Sequence, residues 1–223
     1  MTPPRKTEKT GVCILVGAGD FAPDAFEVLE GDFVVACDGG AAHLRAVGVT
    51  PDLYVGDFDS LEGGAPSGEN VVSLPREKDD TDLYYAASLC LERGYRSFLL
   101  YGALGGERLS HTLGNLSLLL RLQKAGAKAL LVGKKVLVGL LAPGDSRVFE
   151  PRRGYVSFFA ACDGCRLSLS GFKYDFDGIA DRTKTVTVSN EFKEIPARAS
   201  AENGPVFFVI EGEPGDVRAL TGA

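Results

Sequence analysis

Short apolar runs separated by amphipathic stretches dominate the first 138 residues. The runs lie at 12–16, 33–37, 53–55, 98–101 and 130–132. Buried strands of a parallel sheet are continuous apolar runs of this kind, whereas amphipathic helices repeat apolar residues every three or four positions. The stretches between the runs have the helical spacing, so the pattern predicts strands that alternate with helices and therefore an α/β domain with a mainly parallel sheet.

Four helices are predicted between these strands. A turn at residues 17–19 precedes a helix over 23–29 with proline at its first turn, and residues 41–47 form a short helix that ends at Gly48. A third helix covers 81–93, and a fourth covers 113–123 with Ser110 as its cap. The third helix buries Leu83, Ala86, Ala87, Cys90 and Leu91, and the fourth buries Leu113, Leu116 and Leu120.

Beyond about residue 140 the pattern becomes typical of strands. Residues 155–161, 166–169, 185–189 and 205–210 alternate in polarity or are rich in β-branched and aromatic side chains, and Gly, Asp and Asn turns separate them. We therefore predict a flexible tail over 1–10, an α/β domain over 11–138 and an all-β sandwich domain over 139–223.

Composition narrows the class of protein. The content of 45% hydrophobic and 24% charged residues is that of a soluble globular chain, without an apolar stretch near the ~18 residues of a membrane span. A net charge of -6 argues against a nucleic-acid partner, and the first strand is too short for a secretory core. We expect a cytoplasmic protein without nucleic-acid or membrane partners.

The five cysteines include one suggestive spacing, Cys162-Asp163-Gly164-Cys165. A zinc knuckle needs a second pair of ligands, which neither histidine nor the other cysteines supply nearby. We interpret Asp163-Gly164 as a hairpin turn, and we expect neither zinc nor a disulfide.

Three acidic turns follow or precede the apolar runs of the first domain, at residues 37–40, 56–60 and 78–82. Each has a local explanation: Asp38-Gly39 suits a hairpin, Asp59-Ser60 an Asx turn, and Asp80 or Thr81 a helix cap. A hairpin at Asp38 is disfavoured because a helix follows it. If the runs are parallel strands, the carboxylates converge at one sheet edge, which suggests a metal-bridged phosphate site.

These turns and three further segments resemble the thiamine pyrophosphokinases. The matching stretches are Cys37-Asp-Gly-Gly-Ala, Pro51-Asp-Leu-Tyr-Val-Gly-Asp-Phe-Asp-Ser60, Lys78-Asp-Asp-Thr-Asp82, Gly102 through His111-Thr-Leu-Gly-Asn115, Gly171-Phe-Lys-Tyr174 and Val188-Ser-Asn-Glu-Phe192. They occur in the family's order and span both predicted domains. The resemblance implies a homodimeric enzyme that transfers pyrophosphate from ATP to the hydroxyl of thiamine, with Mg2+, to give thiamine diphosphate and AMP.

The resemblance also assigns roles to residues. The predicted metal ligands are Asp57, Asp59 and Asp82, and Asp38 joins them as a further partner that orients the thiamine hydroxyl. The predicted ATP-binding residues are Lys78, Asp79, Thr81, Arg108, His111, Thr112 and Asn115. Gly17 and Gly19 are added because they could pack near the nucleotide, although a tight strand-to-helix turn explains this Gly-x-Gly equally well. Tyr174, Ser189 and Asn190 are predicted to contact thiamine across the dimer interface, although a core tyrosine and a strand-end turn would explain them equally well.

Two departures from the family pattern fall beside these residues. Glu107 is inserted before Arg108, and Ser110 stands where the family has an Asp before the histidine. His111 also suits an exposed position in the first turn of a helix. Two other functions remain open: a nucleotide-sugar transferase, because Asp57-Phe58-Asp59 is also a diphosphate and metal motif, and a non-catalytic nucleotide or thiamine sensor with the same fold.

Overall fold

The computed structural model describes residues 9–58, 68, 70–77, 79–212 and 215–221. The chain divides into two compact units, Met1–Lys134 with Asp216–Ala223, and Lys135–Gly215. The predicted boundary fell after residue 138, and the segment after residue 215 was placed with the second domain. The structure instead packs residues 216–221 with the first unit.

The first unit contains a parallel sheet of six strands in its described residues. The strands are β1 (Cys13–Val16), β2 (Phe33–Cys37), β3 (Leu53–Gly56), β4 (Val71–Ser73), β5 (Ser97–Tyr101) and β6 (Lys128–Val132). Their order is β6-β5-β1-β2-β3-β4, and every pairing is parallel. The predicted sheet is confirmed, with β4 as an additional strand. All four residues of β1 are buried, as expected where both faces of a sheet are covered.

The described part of this unit contains three helices: α1 (Gly40–Ala46), α2 (Asp82–Glu92) and α3 (Leu109–Lys124). The predicted helix over 23–29 is wrong, because only Pro23–Ala25 forms one 3-10 turn and Phe26 continues in extended backbone. The Phe26 ring packs edge-on against Tyr101, whose hydroxyl donates to the Ala25 carbonyl at 2.9 Å. These contacts hold Ala25 and Phe26 on the sheet, and the extended backbone at Phe26 is incompatible with a helix.

The helix α3 is rotated and longer than predicted. It begins at Leu109, so Ser110 lies inside it and the predicted cap is wrong. Its buried residues are Asn115, Leu118, Leu119 and Leu122, whereas Leu113 is 55% exposed. The buried Asn115 amide donates to the Ala103 carbonyl at 2.7 Å, which fixes the orientation of the helix.

The chain returns to the first unit through Arg218. Its guanidinium donates to both carboxylate oxygens of Asp32, at 3.3 and 2.5 Å, and to the carbonyl of Glu27 at 3.0 Å. The Asp32 carboxylate also accepts from the backbone N–H groups of Val12 and Leu29. Residues 216–221 are therefore held to the first unit by a buried ion pair.

The second unit consists of two antiparallel sheets. Its strands are β7 (Val136–Leu141), β8 (Ser146–Phe149), β9 (Tyr155–Ala160), β10 (Cys165–Ser170), β11 (Phe176–Ala180), β12 (Asn190–Glu191), β13 (Ala197–Glu202) and β14 (Val206–Glu211). One sheet has the order β12-β9-β14-β7 and the other β11-β10-β13-β8. Five aromatic rings join their inner faces: Phe149, Phe158, Phe172, Phe192 and Phe208. The predicted sandwich is confirmed.

Two details of the β prediction are wrong. The predicted strand at 185–189 is a turn, in which the Val188 N–H donates to the Thr185 carbonyl at 3.2 Å. The Asp163-Gly164 turn is no hairpin, because β9 and β10 on either side of it belong to different sheets. Among the described residues, no helix is both long and apolar enough to cross a membrane.

Candidate active site

Asp38 lies at the carboxyl end of β2, where the backbone leaves the sheet. It adopts a positive φ of 49°, and its N–H donates to the Val55 carbonyl at 2.9 Å. Positive φ is uncommon outside glycine and often marks functional positions. The next strand contributes Gly56, where a Cβ would lie 3.1 Å from the Asp38 Cα. The absence of a side chain at Gly56 therefore lets the two strand ends meet closely.

Asp57 follows Gly56 directly and is half-buried. Since Cys37 and Val55 are paired in the parallel register, Asp38 and Gly56 are neighbours and Asp57 is one residue further along β3. The buried Phe58 after it has a positive φ of 57°. Asp59, Ser60 and Lys78 lie outside the described residues, and their predicted roles stay predictions.

Asp82 is the first residue of α2. The side chain of Thr81 caps this helix by accepting a hydrogen bond from the Tyr84 N–H at 3.3 Å, so the local explanation of Thr81 as a cap holds whatever else it binds. Asp79 and Asp80 before it are exposed. The carboxylate of Asp82 thus lies at the positive end of the helix dipole, where negative charge is stabilised.

The charges of Asp38 and Asp82 both act on the thiol of Cys37. Burial chiefly raises the pKa of this thiol well above its usual value, and the charges of Cys90, Asp82 and Asp38 raise it further. The Oδ1 atoms of both aspartates are shielded from solvent. Two carboxylates beside a dry core are well suited to bind a cation, because ion pairing is stronger where water is excluded.

The described part of the chain does not by itself hold three candidate metal ligands in one group. The predicted set of Asp57, Asp59 and Asp82 includes one residue outside that part. Carboxylate oxygens are the ligands that hard cations such as Mg2+ prefer, so the donor chemistry fits while the coordination stays a prediction.

Two loops flank the point at which the strand order reverses, between β1 and β5. The Gly17 N–H donates to the Tyr101 carbonyl and the Gly19 N–H to the Gly102 carbonyl, each at 2.8 Å. Gly102 has a φ of 59°, and a Cβ on it would collide with the Gly17 carbonyl. Open α/β sheets bind ligands in a crevice at such a reversal, and the glycines here let the two loops pack directly against each other.

Asp20 is a residue of this crevice that the sequence analysis missed. Its Oδ1 accepts from the Gly106 N–H at 3.3 Å, and its own N–H donates to the Leu104 carbonyl at 2.9 Å. These bonds connect the loop after β1 to the loop that leads into α3. The available signal was a short acidic side chain directly after the Gly17-Ala18-Gly19 turn.

Arg108 directly precedes α3 and His111 lies in its first turn, and both side chains are exposed. Thr112 is half-buried on the same turn. A helix N-terminus presents unpaired N–H groups and attracts anions. Asn115 differs from the others, because its buried amide is used to hold Ala103.

In the second unit, Tyr174 and Asn190 are joined by a pair of hydrogen bonds. The Asn190 amide donates to the Tyr174 carbonyl at 2.7 Å, and its Oδ1 accepts from the Tyr174 N–H at 3.0 Å. Asn190 is buried, whereas Tyr174 is 60% exposed, so the explanation of Tyr174 as a core residue is wrong. Ser189 beside them has a φ of 58°, and its N–H donates to the Ser157 hydroxyl at 3.0 Å.

The Tyr174 ring has a cationic neighbour that the sequence analysis also missed. The Lys173 ammonium lies 5.5 Å from the ring centroid and pairs with Glu191 at 2.5 Å. The signal was available, since both residues stand beside predicted thiamine contacts.

This combination defines a class of protein: an α/β unit with an acidic, glycine-lined strand edge, followed by a β-sandwich. Comparison with known proteins agrees. A family model described as thiamin pyrophosphokinase, catalytic domain, matches residues 28–131. The thiamine pyrophosphokinase of Bacillus subtilis is 30% identical over 168 residues, which cover 70% of this chain and 77% of that protein.

Solved structures agree as well. The crystal structure of the Bacillus subtilis thiamine pyrophosphokinase superposes with a TM-score of 0.79 at 26% identity, covering 90% of this chain and 99% of that one. That of Geobacillus thermodenitrificans gives 0.76 at 28% identity, covering 92% and 99%. The chain belongs to the thiamine pyrophosphokinase family, as the sequence motifs indicated, and the expectation of an enzyme is confirmed.

Proposed function

We propose that this enzyme transfers the pyrophosphoryl group of ATP to the hydroxyl of thiamine, giving thiamine diphosphate and AMP. The observation that supports this most directly is the placement of Asp38 after β2, of Asp57 after the neighbouring strand β3 and of Asp82 at the start of α2, in a chain of this family. Pyrophosphoryl transfer needs positioning and charge neutralisation more than covalent chemistry from the protein. An acidic edge that binds a cation–triphosphate complex meets that need.

Asp57, Asp59 and Asp82 would hold Mg2+, which when bound neutralises triphosphate charge and polarises the phosphorus that is attacked. Asp38 has a different role in the proposal. Its backbone is fixed by β3 on one side and by α1 on the other, so its carboxylate has a defined direction. We assign to it the orientation of the thiamine hydroxyl, which donates a hydrogen bond to the carboxylate before the transfer.

The phosphates are neutralised and positioned by cationic side chains and by hydrogen-bond donors. Lys78 and Arg108 supply positive charge, and the first turn of α3 supplies N–H donors together with His111 and Thr112. The loop containing Gly17 and Gly19 gives the nucleotide close access to the backbone, and Asp79 and Thr81 complete the phosphate segment. Asn115 acts indirectly, by holding Ala103 in the loop that carries Arg108.

Thiamine is a cation with two aromatic rings, so a ring face and a few polar groups suit it. The exposed Tyr174 ring offers the face, while Asn190 fixes its backbone and Ser189 supplies a hydroxyl. We propose that the enzyme is a homodimer in which these residues complete the site of the partner subunit. Two-fold association is the commonest form of pairing, and it makes both composite sites equivalent.

One assay tests the reaction: purified protein is mixed with ATP, Mg2+ and thiamine, and nucleotide products are separated by chromatography. The proposal requires AMP in amounts equal to the thiamine diphosphate formed, with neither product when thiamine or the metal is omitted. A nucleotide-sugar transferase would instead release a nucleoside diphosphate from a sugar donor. A sensor would bind ATP or thiamine without forming any product, and either result would refute the proposal.

A further inference from the structure

Cys162 and Cys165 bring their sulfur atoms within 3.2 Å of each other in the second unit. They frame the turn that connects β9 to β10, and Asp163-Gly164 form its tip. Cys165 is buried and Cys162 is only half-buried. The pair therefore combines a thiol that solvent can reach with a sheltered thiol directly beside it.

The surroundings hold the two sulfurs side by side. Both rest against Gly204, where even a Cβ would collide with each sulfur. The Cys165 thiol lies 3.3 Å from the Cys162 carbonyl and 3.6 Å from the Pro205 carbonyl. Formation of an S–S bond of about 2.05 Å requires the sulfurs to approach by only about 1.2 Å.

The tip of the turn is anchored to the loop after β11. Arg182 donates two hydrogen bonds of 2.9 Å to the carboxylate of Asp163. This ion pair fixes the tip of the turn that lies between the two cysteines.

We propose that Cys162 and Cys165 form a reversible redox modification site, oxidised by peroxides to an intramolecular disulfide. The Cys162 thiolate attacks one peroxide oxygen and breaks the O–O bond, giving a sulfenic acid and, after protonation of the leaving oxygen, water. The Cys165 sulfur then displaces the sulfenic oxygen, which leaves as a second water with the thiol proton. Two thiols are oxidised by two electrons in total, hydrogen peroxide is reduced to two waters, and a dithiol returns the site to its thiol form.

A metal site is the less favoured role for this pair. In the described residues no third cysteine, histidine or carboxylate completes a metal-binding group with the two sulfurs. The remaining cysteines, Cys13, Cys37 and Cys90, are buried in the first unit. They serve as internal controls, because shielded thiols without access to solvent react slowly.

Tryptic cleavage separates the five cysteines conveniently. The peptide 154–166 contains both Cys162 and Cys165, whereas 10–45 and 79–93 contain the other three. The folded full chain is treated with hydrogen peroxide, unfolded, alkylated and digested. We expect peptide 154–166 to lose the mass of two hydrogen atoms and to resist alkylation. This oxidation should be at least ~10-fold faster than the modification of any other cysteine, and dithiothreitol should reverse it fully.

Variants test the order of events. In Cys165→Ser the sulfenic acid on Cys162 has no partner, so a dimedone adduct should accumulate there, while the matched Cys90→Ser protein should behave like the wild type. The inference is overturned if the wild-type peptide 154–166 keeps two free thiols, if its cysteines are oxidised singly, or if the disulfide joins two chains. The wild-type measurement needs no variant, so it decides the matter even if Cys165→Ser fails to fold.

Discussion

Replacing Arg218 by alanine should destabilise the first unit by about 2–3 kcal/mol. Asp32 is only 3% exposed and Arg218 15% exposed, so the substitution leaves a buried carboxylate without its cation. Removing one partner of a fully buried pair costs about 3–5 kcal/mol. The lower value applies here because Asp32 keeps its two backbone N–H donors, from Val12 and Leu29. For a chain of this size, the expected decrease in Tm is about 4–12 °C.

Urea unfolding followed by circular dichroism measures this effect. The three described helices all belong to the first unit, so the helical signal follows that unit, and the chain has no tryptophan to provide a simpler probe. Glu27→Ala is the matched control in the same unit. It removes the other contact of Arg218, at 3.7 Å, but the Glu27 side chain is 67% exposed, so it should cost less than about 1 kcal/mol.

Two results would show that the reasoning about burial is wrong. The first is an equal loss of stability for Arg218→Ala and Glu27→Ala. The second is a loss for Arg218→Ala that stays the same in an Asp32→Asn background, because a true pair shows coupling in a double-mutant cycle. The stability of Arg218→Lys should lie between those of the wild type and Arg218→Ala, since lysine keeps the positive charge but not the bidentate geometry.

Further predictions concern activity and pH. Asp57→Asn and Asp82→Asn should abolish turnover at an unchanged circular dichroism spectrum, and a near-normal rate in both would remove the metal assignment. Tyr174→Ala should weaken thiamine binding in calorimetry while ATP–Mg2+ binding stays nearly constant; equal losses would contradict the division of labour. Mixed dimers of an Asp57→Asn, Asp82→Asn chain with a Tyr174→Ala chain should regain about one working site by complementation. Mixed dimers that are no more active than either parent would show that the sites are not shared. Burial raises the pKa of Tyr101 to about 12, so stability should fall between about pH 10 and 12, where the unfolded tyrosine ionises first, and Tyr101→Phe should make this fall less steep.

Asn190→Ala is less suitable than Tyr174→Ala for the thiamine test. The buried Asn190 amide makes two hydrogen bonds with the backbone of Tyr174, so its removal disturbs local structure as well as any ligand contact. The exposed Tyr174 ring can be removed without opening the core. Lys173→Ala is a useful neighbour control, since it removes the cation beside the ring and leaves the ring in place.

The elements that the sequence predicted well are those with strong local signals. In α2, an apolar stripe, a Thr cap and a terminal glycine agree with one another, and the observed helix deviates by one residue at each end. The strands β1, β2 and β5 are uninterrupted apolar runs, which only a position between two covered faces explains. The sheet follows from their alternation with helices.

The misses arise where distant contacts override local preference. Phe26 is drawn onto Tyr101, so the segment after Pro23 cannot complete a helix. The polar Asn115 lies outside the predicted apolar stripe, yet its bond to Ala103 turns it inward and rotates α3. The strand β13 consists of Ala, Arg, Ser and Glu, and these residue types do not predict a strand. Its alanines are buried in the sandwich core, where a larger side chain would lack space.

The positions of the acidic residues could be predicted from the sequence, whereas their coordination of a metal could not. Asp38 and Asp57 follow strands that are neighbours in the sheet, and this position depends only on strand order. The bond between Asp20 and Gly106 joins residues 86 positions apart, and no local pattern indicates it. The roles assigned to individual site residues stay predictions until the variants are measured.

The return of residues 216–221 to the first unit has a consequence for synthesis on the ribosome. The second unit is in effect an insertion within the first, because the first unit contributes segments on both sides of it. Domains generally fold in order as they emerge during translation, but here the earlier unit receives Arg218 only after the whole β-sandwich has been made. A nascent chain stalled before residue 216 would carry a folded sandwich beside an α/β unit whose Asp32 still lacks its cation. Quality control should therefore degrade chains that end early even though every residue of the acidic edge has been translated.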